Sequence, residues 1–277
     1  MRFTFSVESH VGYVRTNNED SAFAGPHLLL VADGVGGAAA GEIASASVAY
    51  VMSAISMSPK APLQADPSDV LGVLRESIEF AHNHLKEGVA ENPVRSGMAT
   101  TLTAVLTDGQ RFGLAHLGDS RAYLMRGGQL SRLTTDHTFA QTLVDDGHIT
   151  EEEAAVHPFR SAVVRNVNGE DPHEPDLALI DLQVGDRLLL CSDGLTDLVP
   201  DDMLAGYLSD PSPDLAVRNL VQSALQAGGQ DNVTCVVADV DPRELMPWSR
   251  RCYYCRMAGA VTDLGNLIDP AAVSTAA

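Results

Sequence analysis

Four aspartates in this chain stand at the lip of apolar runs. Three end such a run next to glycine: Leu28-Leu29-Leu30-Val31-Ala32-Asp33-Gly34, Leu114-Ala115-His116-Leu117-Gly118-Asp119 and Leu188-Leu189-Leu190-Cys191-Ser192-Asp193-Gly194. The fourth, in Gly228-Gly229-Gln230-Asp231-Asn232, stands just before one. A carboxylate at the end of a buried strand is costly unless something cationic meets it. Several that converge repel one another, so they must take up protons or share divalent metal. Oxygen donors without adjacent imidazole or thiolate suit the hard cations Mg2+ and Mn2+. The neighbouring glycines let a backbone carbonyl come close enough to ligate as well. One strand-end Asp is more often a turn-former or helix cap; four with similar flanks reverse that weighting.

The elements that must position these residues are short strands. His27–Val31, Ala99–Leu106, Arg111–Leu117, Arg121–Met125, Asp186–Cys191 and Val233–Val240 are β-branched or alternating. Asp108-Gly109 and Gly127-Gly128 lie where hairpin turns belong, so consecutive strands are antiparallel. Leu71, Leu74, Ile78, Ala81 and Leu85 form one stripe of a helix from about 67 to 87, with Asp66-Pro67 as its expected cap and first position. A second helix opens at Ser212-Pro213 and ends at Gly228-Gly229, and an Ala- and Ser-rich third covers roughly 41 to 56. Helices set between hairpins give an α+β fold, with helices covering sheet faces.

Residues 137–175 are irregular, with a short helical piece at 138–146 and the run Glu151-Glu152-Glu153, and read as a surface flap with the glutamates as solvated surface. The tail from 242 to 277 carries no core periodicity, and its removal is expected to leave the fold intact. Cys191 and Cys235 read as buried thiols, and Cys252-x-x-Cys255 lacks the second ligand pair of a zinc site.

Composition narrows the function. Apolar residues make up 45% of the 277, which is ordinary for a globular chain. Asp and Glu number 37 against 18 Lys and Arg, a formal charge of −19, and such a surface repels nucleic acid. Met1–His10 alternates like a strand and lacks the apolar core of a signal peptide, and no run approaches a bilayer span. The expectation is a cytoplasmic, monomeric protein with neither membrane nor nucleic-acid partners. Two look-alike motifs fail. Gly34-x-Gly36-x-x-Ala39 sits like a dinucleotide fingerprint, but Asp33 would face the pyrophosphate and no acid stands about 20 residues on to hold a ribose. Ser192–Thr196 is similar to the haloacid-dehalogenase nucleophile motif but lacks its second aspartate.

The full set of motifs resembles the metal-dependent, or type 2C, Ser/Thr protein phosphatases of bacterial type. The matching stretches are Arg15-Thr16-Asn17-Asn18-Glu19-Asp20, Val31-Ala32-Asp33-Gly34-Val35-Gly36-Gly37, Ser96-Gly97-Met98-Ala99-Thr100-Thr101, Gly118-Asp119-Ser120-Arg121, Leu133-Thr134-Thr135-Asp136-His137, Ser192-Asp193-Gly194-Leu195 and Asp231-Asn232-Val233-Thr234. They fall in the family's order across about residues 5 to 240.

The resemblance implies a four-layer αββα sandwich, two antiparallel sheets face to face with helices outside, forming a catalytic domain over 1–241 that includes the flap. It implies two Mn2+ or Mg2+ ions and a third, weaker one. Asp33 would bridge two of them, the Gly34 carbonyl would bind one, and Asp193 and Asp231 the other. Glu19 and Asp20 would hold metal-bound waters, Asp119 with Asp193 would take the third ion, and Arg15 would clamp the substrate phosphate. The implied reaction is hydrolysis of phosphoserine and phosphothreonine in proteins by a metal-activated bridging water, opposing Ser/Thr kinases. Two other readings stay open: a catalytically weak relative that binds phosphoproteins as a regulatory module, and a small-molecule phosphohydrolase. Many relatives place a histidine directly after the Asp-Gly or just after the next Gly-Gly, and here Val35 and Ala38 stand there. His10, His116 and His137 lie nearest the motifs and receive no assignment.

Overall fold

The alternation of apolar residues sorts the strands into layers before any helix is considered. In the strand β3 (Leu28–Val35), Leu28, Leu30 and Ala32 face one buried cluster while Leu29 and Val31 face another. A residue period of two puts alternate side chains on opposite faces of a sheet, so both faces of this sheet are covered. The computed structural model of the chain describes residues 1–35, 40–57, 66, 69–245 and 252–269.

Two antiparallel sheets result. The first has the order β1 (Arg2–His10), β12 (Val233–Asp241), β11 (Arg187–Cys191), β7 (Arg121–Arg126), β8 (Gln129–Arg132). The second has the order β10 (Asp176–Ile180), β6 (Phe112–Leu117), β5 (Leu102–Thr107), β3, β2 (Asp20–Ala24), β13 (Arg256–Gly259). A short ladder branches from the end of β3: β4 (Ala99–Thr100) pairs with Gly34–Val35 and with β9 (Val167–Asn168).

Three cores hold the layers. Phe3, Ala22, Leu29, Val31, Leu114, Leu188, Leu190 and Val236 pack between the sheets. The helices α1 (Gly41–Met57) and α2 (Val70–Glu91) cover the outer face of the second sheet through Val48, Met52, Leu74 and Leu85. The helices α6 (Asp201–Leu208) and α7 (Pro213–Gln226) cover the first through Leu204, Val217, Leu220 and Ala224. This is the αββα sandwich.

Helix ends follow local chemistry. Ser212 caps α7 by accepting from Leu215 N at 3.2 Å, as expected. The cap of α2 is Asp69, which accepts from Gly72 N, and not Asp66; the helix starts later than the periodicity implies and runs on to Glu91. Pro67 lies outside the described residues. The expected strand over 99–106 is broken at Thr101, which leaves the ladder to hydrogen-bond the end of β3. The flap contains α3 (Phe139–Asp145) and α4 (Glu151–Ala155). Its glutamate run is more than solvated surface: Glu153 and Thr150 close a capping box at the start of α4.

The tail corrects the expectation drawn from its composition. Residues 256–259 add the edge strand β13 to the second sheet, and Ala260, Val261, Leu267 and Ile268 are buried in the helix-side core. Ile268 donates its N–H to Ser47 and offers its carbonyl to the ring of His84. The segment is too short to show periodicity, because it is a strap of single anchors and not an amphipathic element. Ile268, 3% exposed, lies against Gly88 of α2. Replacing it with Ala should cost about 2–4 kcal/mol in urea unfolding, and a loss below about 0.5 kcal/mol would show that the strap is dispensable.

Candidate functional site

The face between the sheets changes character at one end. On β3 the inward series Leu29, Val31 continues to Asp33, and on β2 the series Ala24, Ala22 continues to Asp20. On the first sheet, Leu188 and Leu190 of β11 are followed by Ser192, and Val236 of β12 is preceded by Thr234. The last rung of the apolar sandwich is therefore a layer of carboxylates and hydroxyls. Ser192 donates to Asp20 Oδ2 at 2.7 Å and receives Thr234 N–H at 3.0 Å. Ser9 shares a hydrogen bond with Thr234 at 2.7 Å, and Thr101 accepts Asp33 N–H at 2.9 Å.

A cleft of about 470 Å³ opens above this layer. Seven of the eight sequence-predicted site residues line it: Arg15, Glu19, Asp33, Gly34, Asp119, Asp193 and Asp231. The eighth, Asp20, lies beneath, fully buried. Each sheet contributes. Asp33 and Gly34 end β3 of the second sheet, whereas Asp193 follows β11 and Asp231 precedes β12 of the first. Asp119 lies in the Gly118–Ser120 crossover from β6 to β7, between the sheets.

Two glycines allow this closeness. A Cβ on Gly34 would stand 2.5 Å from the Gly41 backbone, and one on Gly194 would stand 1.8 Å from Asn232 O. The second contact seats the helical turn α5 (Asp193–Thr196) directly against the Asp231–Asn232 turn.

The electrostatics are those of crowded, poorly hydrated carboxylates. Burial, then Asp20, Asp193 and Asp119, push the Asp33 carboxyl well above its ordinary value. Burial, then Asp119, Asp197 and Asp231, do the same to Asp193. Asp119 is raised to about 7, by burial first and Asp136 next. Asp20 is raised to about 6, by burial against the opposing bonds from Ser192 and Thr234. Among the described residues no N–H or hydroxyl meets Asp20 Oδ1, and the Asp33 carboxyl is its neighbour. Such an oxygen requires a proton or a cation.

No His or Cys lines the cleft among the described residues. This all-oxygen set, with a buried orphan oxygen, fits a hard divalent cation. Among the described residues no three His, Cys, Asp or Glu side chains are gathered closely enough to hold one ion by themselves; the carboxylates are spread along a shared cleft that also offers the Gly34 backbone. Arg15 pairs with Asp231 at 2.7 Å, and its side chain is 55% exposed. The predicted phosphate clamp thus rests on a predicted metal ligand.

The sequence reading missed four contributors. Asp197 stands four residues after Asp193, one helical turn on, and lines the cleft; that spacing was a usable signal. Asn232 accepts Glu19 N–H at 2.8 Å and donates to the carbonyls of Val11 and Asn17, holding the loop that carries Arg15 and Glu19. Arg160 and Ser161 reach the cleft from the flap, and no local pattern marked them.

His116 and His137 are structural. His137 Nδ1 accepts Gly118 N–H, its own N–H returns to Gly118 O at 2.7 Å, and Nε2 meets Asp176 at 3.0 Å. His116 bonds Thr103 and the Thr135 carbonyl. Val35 lines the cleft, and Ala38 lies outside the described residues.

The fold and the site together define a metal-dependent phosphatase architecture, and the chain belongs to the protein phosphatase 2C family, whose model matches residues 13–227. It is 45% identical over 238 residues to the serine/threonine protein phosphatase PstP of Mycobacterium tuberculosis, covering 85% of this chain and 45% of that protein, so it spans a little under half of that relative's length. It is 32% identical over 257 residues to the protein phosphatase PhpP of Streptococcus pneumoniae, covering 86% of this chain and 98% of that one. A crystal structure of the M. tuberculosis phosphatase PstP/Ppp superposes with a TM-score of 0.79 at 44% identity, covering 87% of this chain and all of that one. The PstP catalytic domain in complex with two manganese ions superposes at 0.76 with 42% identity, covering 87% and 99%.

The crowding has a thermodynamic signature in protein free of divalent ions. Asp119, Asp33 and Asp193 hold protons to higher pH folded than unfolded, so the folded chain binds more protons and stability falls as pH rises through their folded values. Buried His116 and His137 are lowered and act in the opposite sense, but only below their ordinary value of 6.5. Urea unfolding in chelator should therefore show a loss of at least about 1 kcal/mol between roughly pH 6.5 and 8. A flat or rising profile would contradict the crowding.

Proposed function

We propose that this chain is a Mn2+- or Mg2+-dependent phosphatase of phosphoserine and phosphothreonine in proteins. The observation that carries the reading is the set of mutually destabilised carboxylates, with the orphan Asp20 oxygen among them, around one all-oxygen cleft. Asp33, the Gly34 carbonyl, Asp193 and Asp231 would hold two ions, Asp119 with Asp193 a weaker third, and Asp20 and Glu19 would orient coordinated waters. When bound, the cations supply an activated water at neutral pH and neutralise the phosphoryl oxygens.

The chain's own residues do the rest. Arg15, exposed and paired with Asp231, turns from it to the substrate phosphate, where a planar fork of donors fits two oxygens. Asn232 keeps that loop in register, and Ser192 and Thr234 fix Asp20 beneath Asp33. No side chain acts as nucleophile. His137 supplies no proton to the leaving alkoxide, because its ring nitrogens are taken by Gly118 N–H on one side and by Asp176 and Arg165 on the other.

The substrates would be phosphoproteins made by Ser/Thr kinases, and the enzyme a cytoplasmic monomer. The free, buried thiols of Cys191 and Cys235 support a reducing compartment. Retention of all four strand-end aspartates weighs against a purely binding module.

Phosphate release from a phosphothreonine peptide should require added Mn2+ or Mg2+, stop in EDTA, and exceed release from a phosphotyrosine peptide. Asp193→Asn should lower turnover at least ~10²-fold. Full activity in excess chelator, or a near-wild-type Asp193→Asn enzyme, would overturn the reading. His137→Ala should slow peptide and aryl phosphate alike, since its ring acts through the Gly118–Asp119 turn; loss on the peptide alone would make it the general acid instead.

A further inference from the structure

The flap exposes an aromatic cluster that the chemistry above does not use. Phe139 at the start of α3 and Phe159 beyond α4 meet edge to face, with ring centroids 6.0 Å apart and planes at 90°. His157 completes the triangle at 6.1 Å from Phe139 and 5.9 Å from Phe159. These separations are those of stabilising aromatic pairs. Yet Phe139 is 41% exposed, Phe159 60%, and the adjoining Val156 82%. Isolated exposed apolar residues are ordinary, but a cluster packed on itself at the rim of a cleft marks a contact surface.

Its position identifies the contact. The residues that follow Phe159 are Arg160 and Ser161, which form part of the cleft wall. The platform is also anchored, since Phe139 N–H donates to Ala162 O at 2.8 Å and Val164 N–H to His137 O at 2.9 Å. It is thus pre-organised and continuous in the chain with the cleft wall at Arg160 and Ser161, which lowers the ordering cost of binding.

We infer that this cluster is a specificity site for the protein substrate, receiving one large apolar side chain within about four residues of the phosphoserine or phosphothreonine. The inference rests on the phosphatase reading above. A bare surface of the same kind could also take a membrane or a second copy of the chain. The charge argues against both: the net charge is −19, and the three glutamates that open α4 stand in the turn before Ala154, Ala155 and Val156.

The test is a series of short phosphothreonine peptides, otherwise Ala, Gly and Ser, in which one Phe is stepped along either side of the phosphoresidue. They are assayed with Mn2+ against wild type and the double variant Phe139→Ser/Phe159→Ser, with p-nitrophenyl phosphate as a substrate too small to reach the flap. One offset should lower KM about tenfold in wild type and lose that advantage in the variant, with aryl kinetics unchanged and a cooperative thermal transition retained. A KM independent of the Phe position, or a preference that survives the double variant, overturns the inference while intact aryl turnover leaves the phosphatase reading standing. Concentration-dependent self-association in wild type that the variant abolishes, with a flat peptide series, assigns the patch to a second copy and likewise overturns it. No turnover of any substrate overturns both readings.

Discussion

Everything at the working end of this molecule depends on one repulsion. Asp33, Asp119 and Asp193 share a poorly hydrated cleft: Asp193 and Asp119 both raise the cost of ionising Asp33, and Asp119 raises that of Asp193. An apolar or hydrogen-bonded substitute at any of these positions would make a more stable sandwich. The fold tolerates the arrangement because it is confined to the last rung. One layer below, the same strand faces carry Leu29, Val31, Leu188 and Leu190, the apolar packing that supplies the stability.

The hydroxyl layer makes the transition possible. Ser9, Thr101, Ser192 and Thr234 stand where continued alternation would place more Leu and Val, and each donates or accepts at the boundary. They satisfy backbone and carboxylate atoms that would otherwise be buried and unpaired, with one exception, Asp20 Oδ1. Among the described residues that oxygen is the fully buried one in the layer left without a donor, and so the informative one.

The parts of this site legible in the sequence were those set by short range. Strand-end aspartates, glycines in tight approaches and the order of the motifs are local patterns, and Arg15, Glu19, Asp20, Asp33, Asp119, Asp193 and Asp231 all meet at one cleft or directly under it. What failed was set by long range. Ile268 looks like any tail residue until it reaches His84 and Gly88, and Arg160 becomes a wall of the cleft only through the fold of the flap. The start of α2 was misread for a different reason: Asp66 and Asp69 are equally good caps by residue type, and the choice between them falls to the geometry at Gly72.

The placement of carboxylates on both sheets turns inter-sheet packing into a determinant of the site. Asp20, Asp33 and Gly34 move with the second sheet, whereas Ser192, Asp193 and Asp231 move with the first. Direct polar links between the two groups are few, and the bond from Ser192 to Asp20 is one that is wholly buried. Spacing across the cleft is therefore governed mainly by the volume of the side chains between the sheets. Protein interiors at this density do not compress, so a methylene added or removed at Val31 or Leu190 shifts the two groups of carboxylates relative to each other. Positioning to within a fraction of an ångström is what polynuclear hydrolytic chemistry demands. The apolar residues of the inter-sheet core touch nothing that reacts, yet they set the geometry in which reaction occurs.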